Sequence, residues 1–135
     1  MSGIKNVDVL LKSMKPQQIR GEFVFCTIPI ESFSKLNITP LLVFHEKEGV
    51  TIILNKESAN KMKFSYQHVW AMITLTVHSD LAAVGFLAVI TRKLAEKKIS
   101  VNVVSAYYHD HLFVPYEKAE QAMKALTKFS NPQKQ

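Results

Sequence analysis

A recurrence constrains this chain more than any other feature. A hairpin followed by a helix is written twice in the sequence, about sixty residues apart, first as Leu41–Leu54 then Lys56–Lys61, and again as Val101–Val114 then Tyr116–Phe129. A long apolar strand precedes each copy, Glu22–Ile28 in the first case and Val69–Val77 in the second. Self-similarity of this kind marks a duplicated unit, here a degenerate βαββα(β) repeat. Its natural architecture is two antiparallel sheets, or one continuous sheet, with helices packed on one face. The fold class is therefore α/β. Each copy, at about sixty-five residues, would be marginal in isolation, so mutual burial is expected, and self-association with it.

The local signals agree with that plan. Val7, Leu10, Leu11 and Met14 share one face of a short helix that Pro16 should stop. Gly21 then opens a strand that closes at Pro29. Leu41–His45 and Val50–Leu54 form a hairpin around Glu46-Lys47-Glu48-Gly49. Trp70–Val77 reads as a buried, central strand, with Trp70 filling core. Ser79 or Asp80 can cap a helix running to about Lys98 that covers this strand. Ile99–Tyr108 is a second long strand, His109-Asp110 turns the chain, and His111–Val114 returns. Ala119, Ala122, Met123, Leu126 and Phe129 then line one face of a final helix.

Composition excludes several function classes. Lys and Arg outnumber Asp and Glu by 17 to 11, yet residues 1–67 and 68–135 each carry a net +3. Phosphate backbones call for cations concentrated on one face or arm, so this even spread predicts no nucleic-acid partner. The longest strictly apolar run, Leu81–Ile90, has ten residues against the roughly twenty of a membrane span, so no membrane partner is expected. No apolar signal core follows Met1–Asp8, which predicts a cytoplasmic location. The single cysteine, Cys26, lies inside an apolar strand and reads as a structural thiol. No catalytic motif is present: neither a Gly-x-Ser-x-Gly elbow nor a glycine-rich phosphate loop occurs, and no cofactor is expected.

Two clusters could carry chemistry. In Tyr107-Tyr108-His109-Asp110-His111, two imidazoles at i and i+2 share one face of an extended strand. That leaves open a metal-dependent hydrolase built on His78, His109 and His111, alongside an ordinary polar turn with Asp110 bonding backbone amides. In Val77–Phe86 a buried strand runs into a helix start, where free N–H groups favour an anion such as a carboxylate. Gly85, read as one turn inside that helix, implies a close approach by a ligand or by a neighbouring helix. A third class is an interaction module whose sheet edge recruits a partner chain.

Trp70-Ala71-Met72-Ile73-Thr74-Leu75, His78-Ser79-Asp80-Leu81, Val84-Gly85-Phe86-Leu87-Ala88, Asn102-Val103-Val104 and Tyr107–Pro115 resemble the second half of a small bacterial tandem ACT-domain family. That family is related to the ACT modules of aspartate kinases and of cytosolic arginine sensors. The likeness is strong over about residues 68–128. It is thinner over 1–67, where Gly21–Thr27 and Glu46–Thr51 carry it. The resemblance implies two ferredoxin-like units, 1–67 and 68–130; the polar residues after them, 131–135, read as a tail. It further implies a regulatory protein binding a small ligand that is typically an amino acid; the lack of a catalytic motif makes it non-catalytic, and the largely apolar start of the helix after Asp80 predicts a homodimer. Carried onto this chain, the ligand loop is His78–Gly85, and Asp110 meets the ligand's polar groups. The Pro-Gly that opens the helix in the family is Val84-Gly85 here. The expected ligand-binding residues are His78, Ser79, Asp80, Ala83, Val84, Gly85, Phe86, Tyr107, His109 and Asp110. The carboxylate is expected at amides near Ser79–Val84, and the amino group or a cationic side chain at Asp110.

Overall fold

A computed structural model describes residues 3–131. Of the tail expected over 131–135, only Asn131 falls within them, and the first two residues also lie outside. The chain divides into two compact units. Unit 2 is Gly21–Trp70, and unit 1 takes the residues up to Arg20 together with those from Ala71 onward. Strand β1 (Pro16–Ile28) begins in unit 1 and ends in unit 2. It starts five residues before the expected opening at Gly21. Proline is tolerated at the first position of a strand, and Gly21 lets the chain run on at φ 116° without the strain another residue would meet there.

In unit 2, β1 continues into helix α2 (Ile30–Ser34), a five-residue element that no periodicity in the sequence announces. Strands β2 (Leu42–His45) and β3 (Val50–Asn55) form the expected hairpin, and β3 pairs antiparallel with β1 from Phe23↔Asn55 to Ile28↔Val50. Asn55 ends β3 and caps helix α3 (Lys56–Lys61), its side chain accepting from the Ser58 amide at 2.8 Å. Alternate residues of the two paired strands, Val24, Cys26, Ile28, Val50, Ile52 and Leu54, form the core with Ala59. Burial pushes the Cys26 thiol pKa up, away from the reactive thiolate. Trp70 is half-buried rather than a core residue. It packs its ring at 5.9 Å from Phe25, on the side of the strand away from Ala71 and Ile73.

Unit 1 opens with helix α1 (Val7–Ser13), capped by Asn6, and Leu10 and Met14 from this segment are fully buried. Strand β4 (Trp70–Leu75) lies between β1 and β6 (Asp110–Pro115), and β5 (Asn102–Ser105) is the outer strand. The Thr76 amide donates to the Lys15 carbonyl at the start of β1. Ala71, Ile73 and Leu75 of β4 share a core with Phe86, Ile90 and Leu94 of helix α4 (Phe86–Glu96) and with Ala122 and Leu126 of helix α5 (Ala119–Ser130). The central, helix-covered β4 is as expected. The strand expected over Ile99–Tyr108 is shorter, because its first residues close the α4 C-terminus: the Ile99 amide donates to the Leu94 carbonyl.

The two hairpins share one geometry. Leu42↔Ile53 and His45↔Val50 in unit 2 become Asn102↔Phe113 and Ser105↔Asp110 in unit 1, each position sixty residues later. The turns match as well, Glu46 N–H to Gly49 C=O and Ala106 N–H to His109 C=O, both 3.0 Å. Helices α3 and α4 also end alike, on Lys63 and Lys98, each at φ 60°. A left-handed lysine costs about 1–2 kcal/mol, partly offset by the extra chain entropy a glycine would lose. Lys63→Gly and Lys98→Gly should therefore each raise stability by about 0.5–1 kcal/mol, read as a higher denaturant midpoint at unchanged slope.

Candidate functional site

The connection from β4 to α4 occupies ten residues, 76–85, and builds one wall of the site. Helix α4 starts at Phe86, not at Asp80. Gly85 is its N-cap, at φ 97°, a conformation that favours glycine. Asp80 does cap, but it caps a turn: its Oδ1 accepts from the Ala82 amide at 2.7 Å, which draws the chain into a local loop instead of a helix. The amides that a helix start leaves without an intrahelical partner are accordingly those of Phe86, Leu87 and Ala88, not those near Ser79–Val84.

Asp110 faces this loop. The sequence places it in an exposed turn. The structure instead makes it the first residue of β6 and leaves it 5 % exposed. The turn falls two residues earlier, on Tyr107-Tyr108, and the hairpin register sets Asp110 opposite Ser105. By strand alternation its side chain projects to the same side as Leu112 and Val114, toward the helices. There Ser79, itself 8 % exposed, donates its hydroxyl to Asp110 Oδ2 at 2.9 Å. Both line a cavity of about 120 Å³ together with Asp80, Leu81, Ala83, Gly85, Phe86, Leu87, Ala88 and Ser105. A single water needs about a tenth of that volume, so the space suits a small molecule. The buried carboxylate of Asp110, the more exposed one of Asp80 and the start of α4 thus open onto the same cavity, features of opposite sign.

The unit 2 hairpin provides a control. The position equivalent to Asp110 is Val50, 2 % exposed and part of the unit 2 core. The architecture therefore does not require an acid there. In unit 2, moreover, only Pro29 separates strand from helix, where unit 1 has its ten-residue loop.

Of the residues expected from sequence, Ser79, Asp80, Ala83, Gly85, Phe86 and Asp110 line the cavity, and His78, Val84, Tyr107 and His109 do not. Val84 is 85 % exposed. His78 stacks loosely with Tyr107 and Tyr108, at ring separations of 6.3 and 5.6 Å. Leu81, Leu87, Ala88 and Ser105 line it as well and are not among the residues the sequence points to, although Leu81 lies within the expected loop. The two helical residues follow once the helix start moves to Phe86, whereas Ser105 enters only through the hairpin register. Among the described residues, no group of three or more His, Cys, Asp or Glu side chains is placed to hold a metal ion.

His111 points away from the cavity and pairs through Nδ1 with Thr74 Oγ1 at 2.9 Å. Burial, and secondarily the charge of His109, hold its pKa below the usual imidazole value, against the opposing pull of Asp110. The unfolded chain thus takes up this proton at a higher pH than the folded chain does. The contribution to stability should decline as pH falls through about 6.5, and stop changing once the folded imidazole is protonated too. Above that window both states are neutral. Denaturation at a series of pH values should show His111→Gln with a weaker acid dependence than the parent.

Among the described residues, no helix is long and apolar enough to cross a membrane. No curated protein matches the chain. A Vibrio cholerae protein of unknown function, described as a possible transport protein, is 44 % identical, with a TM-score of 0.81 over 96 % of this chain and 99 % of its own. The regulatory subunit of aspartate kinase from Thermus thermophilus, in ligand-free form, shares the fold at 9 % identity, with a TM-score of 0.65 over 87 % of this chain and 97 % of its own. An Agrobacterium tumefaciens protein does so at 14 % identity and a TM-score of 0.60, over 87 % of this chain and 89 % of its own. Two ACT-domain family models match in tandem, one over residues 2–71 and the other over 65–128. The duplicated hairpin and helix described above are the two halves of that pattern, and the chain belongs to the ACT-domain family.

Proposed function

We propose that this protein is a cytoplasmic, non-catalytic amino-acid sensor or regulatory subunit that works as a homodimer and binds its ligand in unit 1. ACT domains are typically ligand-binding regulatory modules. The observation that carries the finer reading is Asp110, a buried carboxylate bonded to a neutral hydroxyl, lining a cavity where the sister hairpin has valine. A carboxylate taken out of water calls for a cation, and the cavity has room to admit one. In this reading the ligand's ammonium group, or a cationic side chain, meets Asp110. Its carboxylate meets the amides of Phe86, Leu87 and Ala88, and Ser79, Asp80, Ala83 and Gly85 shape the pocket between them. His78, Tyr107, His109 and Val84 stand outside the lining and would touch ligand only at the pocket mouth.

A thermal-shift screen against each of the twenty amino acids tests this. At about a hundred times its dissociation constant, a ligand adds ~2.7 kcal/mol, or roughly ten degrees for a chain of this size. No shift with any of them, combined with a stably co-purifying protein, would point to a plain interaction module. Light scattering tests the assembly, and a dimer at tens of micromolar is the expected result.

A further inference from the structure

The loop that presents Ser79 is held by a segment outside the repeated motif. From Ser79 to Gly85 its own backbone bonds are local: Ser79 N–H to Val77 C=O at 3.0 Å and Ala83 N–H to Asp80 C=O at 2.9 Å. The longer-range bonds come from the N-terminal residues. Ile4 forms a parallel bridge with Ser79, donating its amide to the His78 carbonyl at 2.8 Å and accepting from the Asp80 amide at 2.9 Å. Gly3 lies so close that a Cβ there would sit 2.8 Å from the Asp80 nitrogen and 2.8 Å from the Ser79 carbonyl carbon, backbone atoms that cannot swing aside. Beyond Ile4, α1 is fixed in the core by Leu10 and Met14. The side chain of Ile4 is 36 % exposed, so its contribution here is made by backbone.

We propose that Gly3 and Ile4 are positioning residues for the site: they strap His78-Ser79-Asp80 in place, and so hold the Ser79 hydroxyl on Asp110 and keep the cavity formed. The ligand part of this proposal rests on the amino-acid-binding reading above; the strap itself does not. Docking of the strap and occupancy of the cavity are then coupled, because both require the same loop conformation, and the coupling is reciprocal.

Hydrogen exchange on the full chain, without added amino acids, reads the strap directly. Gly3→Ala and Ile4→Pro should speed exchange over residues 77–85 by about tenfold or more, with exchange in the α4 and α5 core unchanged. Ile4→Ala, which keeps both backbone groups, should match the parent. Should a variant fail to fold, the parent still decides the matter. The amides of Ile4 and Asp80 should open together, in an event cheaper than global unfolding, and independent opening of the two overturns the proposal. So does unchanged exchange over 77–85 in folded Gly3→Ala and Ile4→Pro proteins.

An equimolar mixture of the twenty amino acids gives the second readout, one that a merely structural segment would not move. The mixture should slow exchange at Ile4 and Asp80 in the parent and in Ile4→Ala, and do so at least about tenfold less effectively in Gly3→Ala. Equal protection in all variants removes the strap from the site while leaving the amino-acid reading intact. No protection of the parent removes the amino-acid reading instead, and the ligand-free exchange result alone then decides whether the strap positions the loop.

Discussion

The double replacement Asp110→Val with Ser79→Ala should sharply reduce the thermal response to amino acids while leaving the unfolding free energy within about 1 kcal/mol of the parent. Two observations set this expectation. The sister hairpin already carries valine at the equivalent position, buried and well packed. Changing both partners also avoids stranding a buried polar group, the Ser79 hydroxyl or the Asp110 carboxylate, which either single replacement would do at a cost of about 1–3 kcal/mol or more. Removing a carboxylate that faces a desolvated cation typically costs 2–5 kcal/mol, so affinity should fall by about 30-fold to several thousand-fold. Asp110→Asn, which keeps an acceptor for Ser79, should weaken binding without removing it. If calorimetry finds the double variant binding as tightly as the parent, the ligand lies elsewhere. If the variant instead unfolds, Asp110 belongs to the architecture and its likeness to Val50 is superficial.

Leu10→Ala should be among the most damaging single changes in unit 1, lowering stability by about 2–5 kcal/mol and the melting midpoint by roughly 10–20 °C. A seven-residue helix cannot sustain itself in water. Helix α1 persists because Leu10 and Met14, four residues apart on one face, are both fully buried in the unit 1 core. Val9, on the other side and 46 % exposed, is the internal comparison, and Val9→Ala should cost less than about 0.5 kcal/mol. Equal effects at the two positions would mean that α1 is a surface decoration rather than part of the core.

What the sequence conveyed depended on the kind of physics involved. Periodicity located α1, both hairpins, the central β4 and the inner face of α5, because burying apolar surface at a fixed repeat leaves a pattern in one dimension. Boundaries set by single hydrogen bonds left no such pattern. Ser79 and Asp80 both look like helix caps, and only the local turn made by Asp80 Oδ1 shows why the helix waits until Gly85. Asp110 looks like a turn residue because charged residues usually are. Its burial depends on a one-residue register, visible once Ser105↔Asp110 is laid over His45↔Val50. The strap was invisible for a similar reason. Nothing in Gly3-Ile4 signals a strand, and the bridge exists only because residue 79 comes alongside.

The division of the chain into units also bears on the order in which a ribosome would deliver them. Unit 1 is assembled from two stretches, one ending at Arg20 and the other starting at Ala71, with the whole of unit 2 synthesised in between. Helix α1 emerges first yet has no core to bury Leu10 and Met14 until β4, α4 and α5 follow. Unit 2, made of contiguous residues, has all its core partners at hand once Trp70 has been added. Vectorial synthesis therefore lets unit 2 gather its core residues while the first segment waits, and the cavity bearing Asp110 is completed only after β6 has been added. A nascent chain stalled before α5 would hold every residue of the unit 2 core and still lack Ala122 and Leu126 of the unit 1 core.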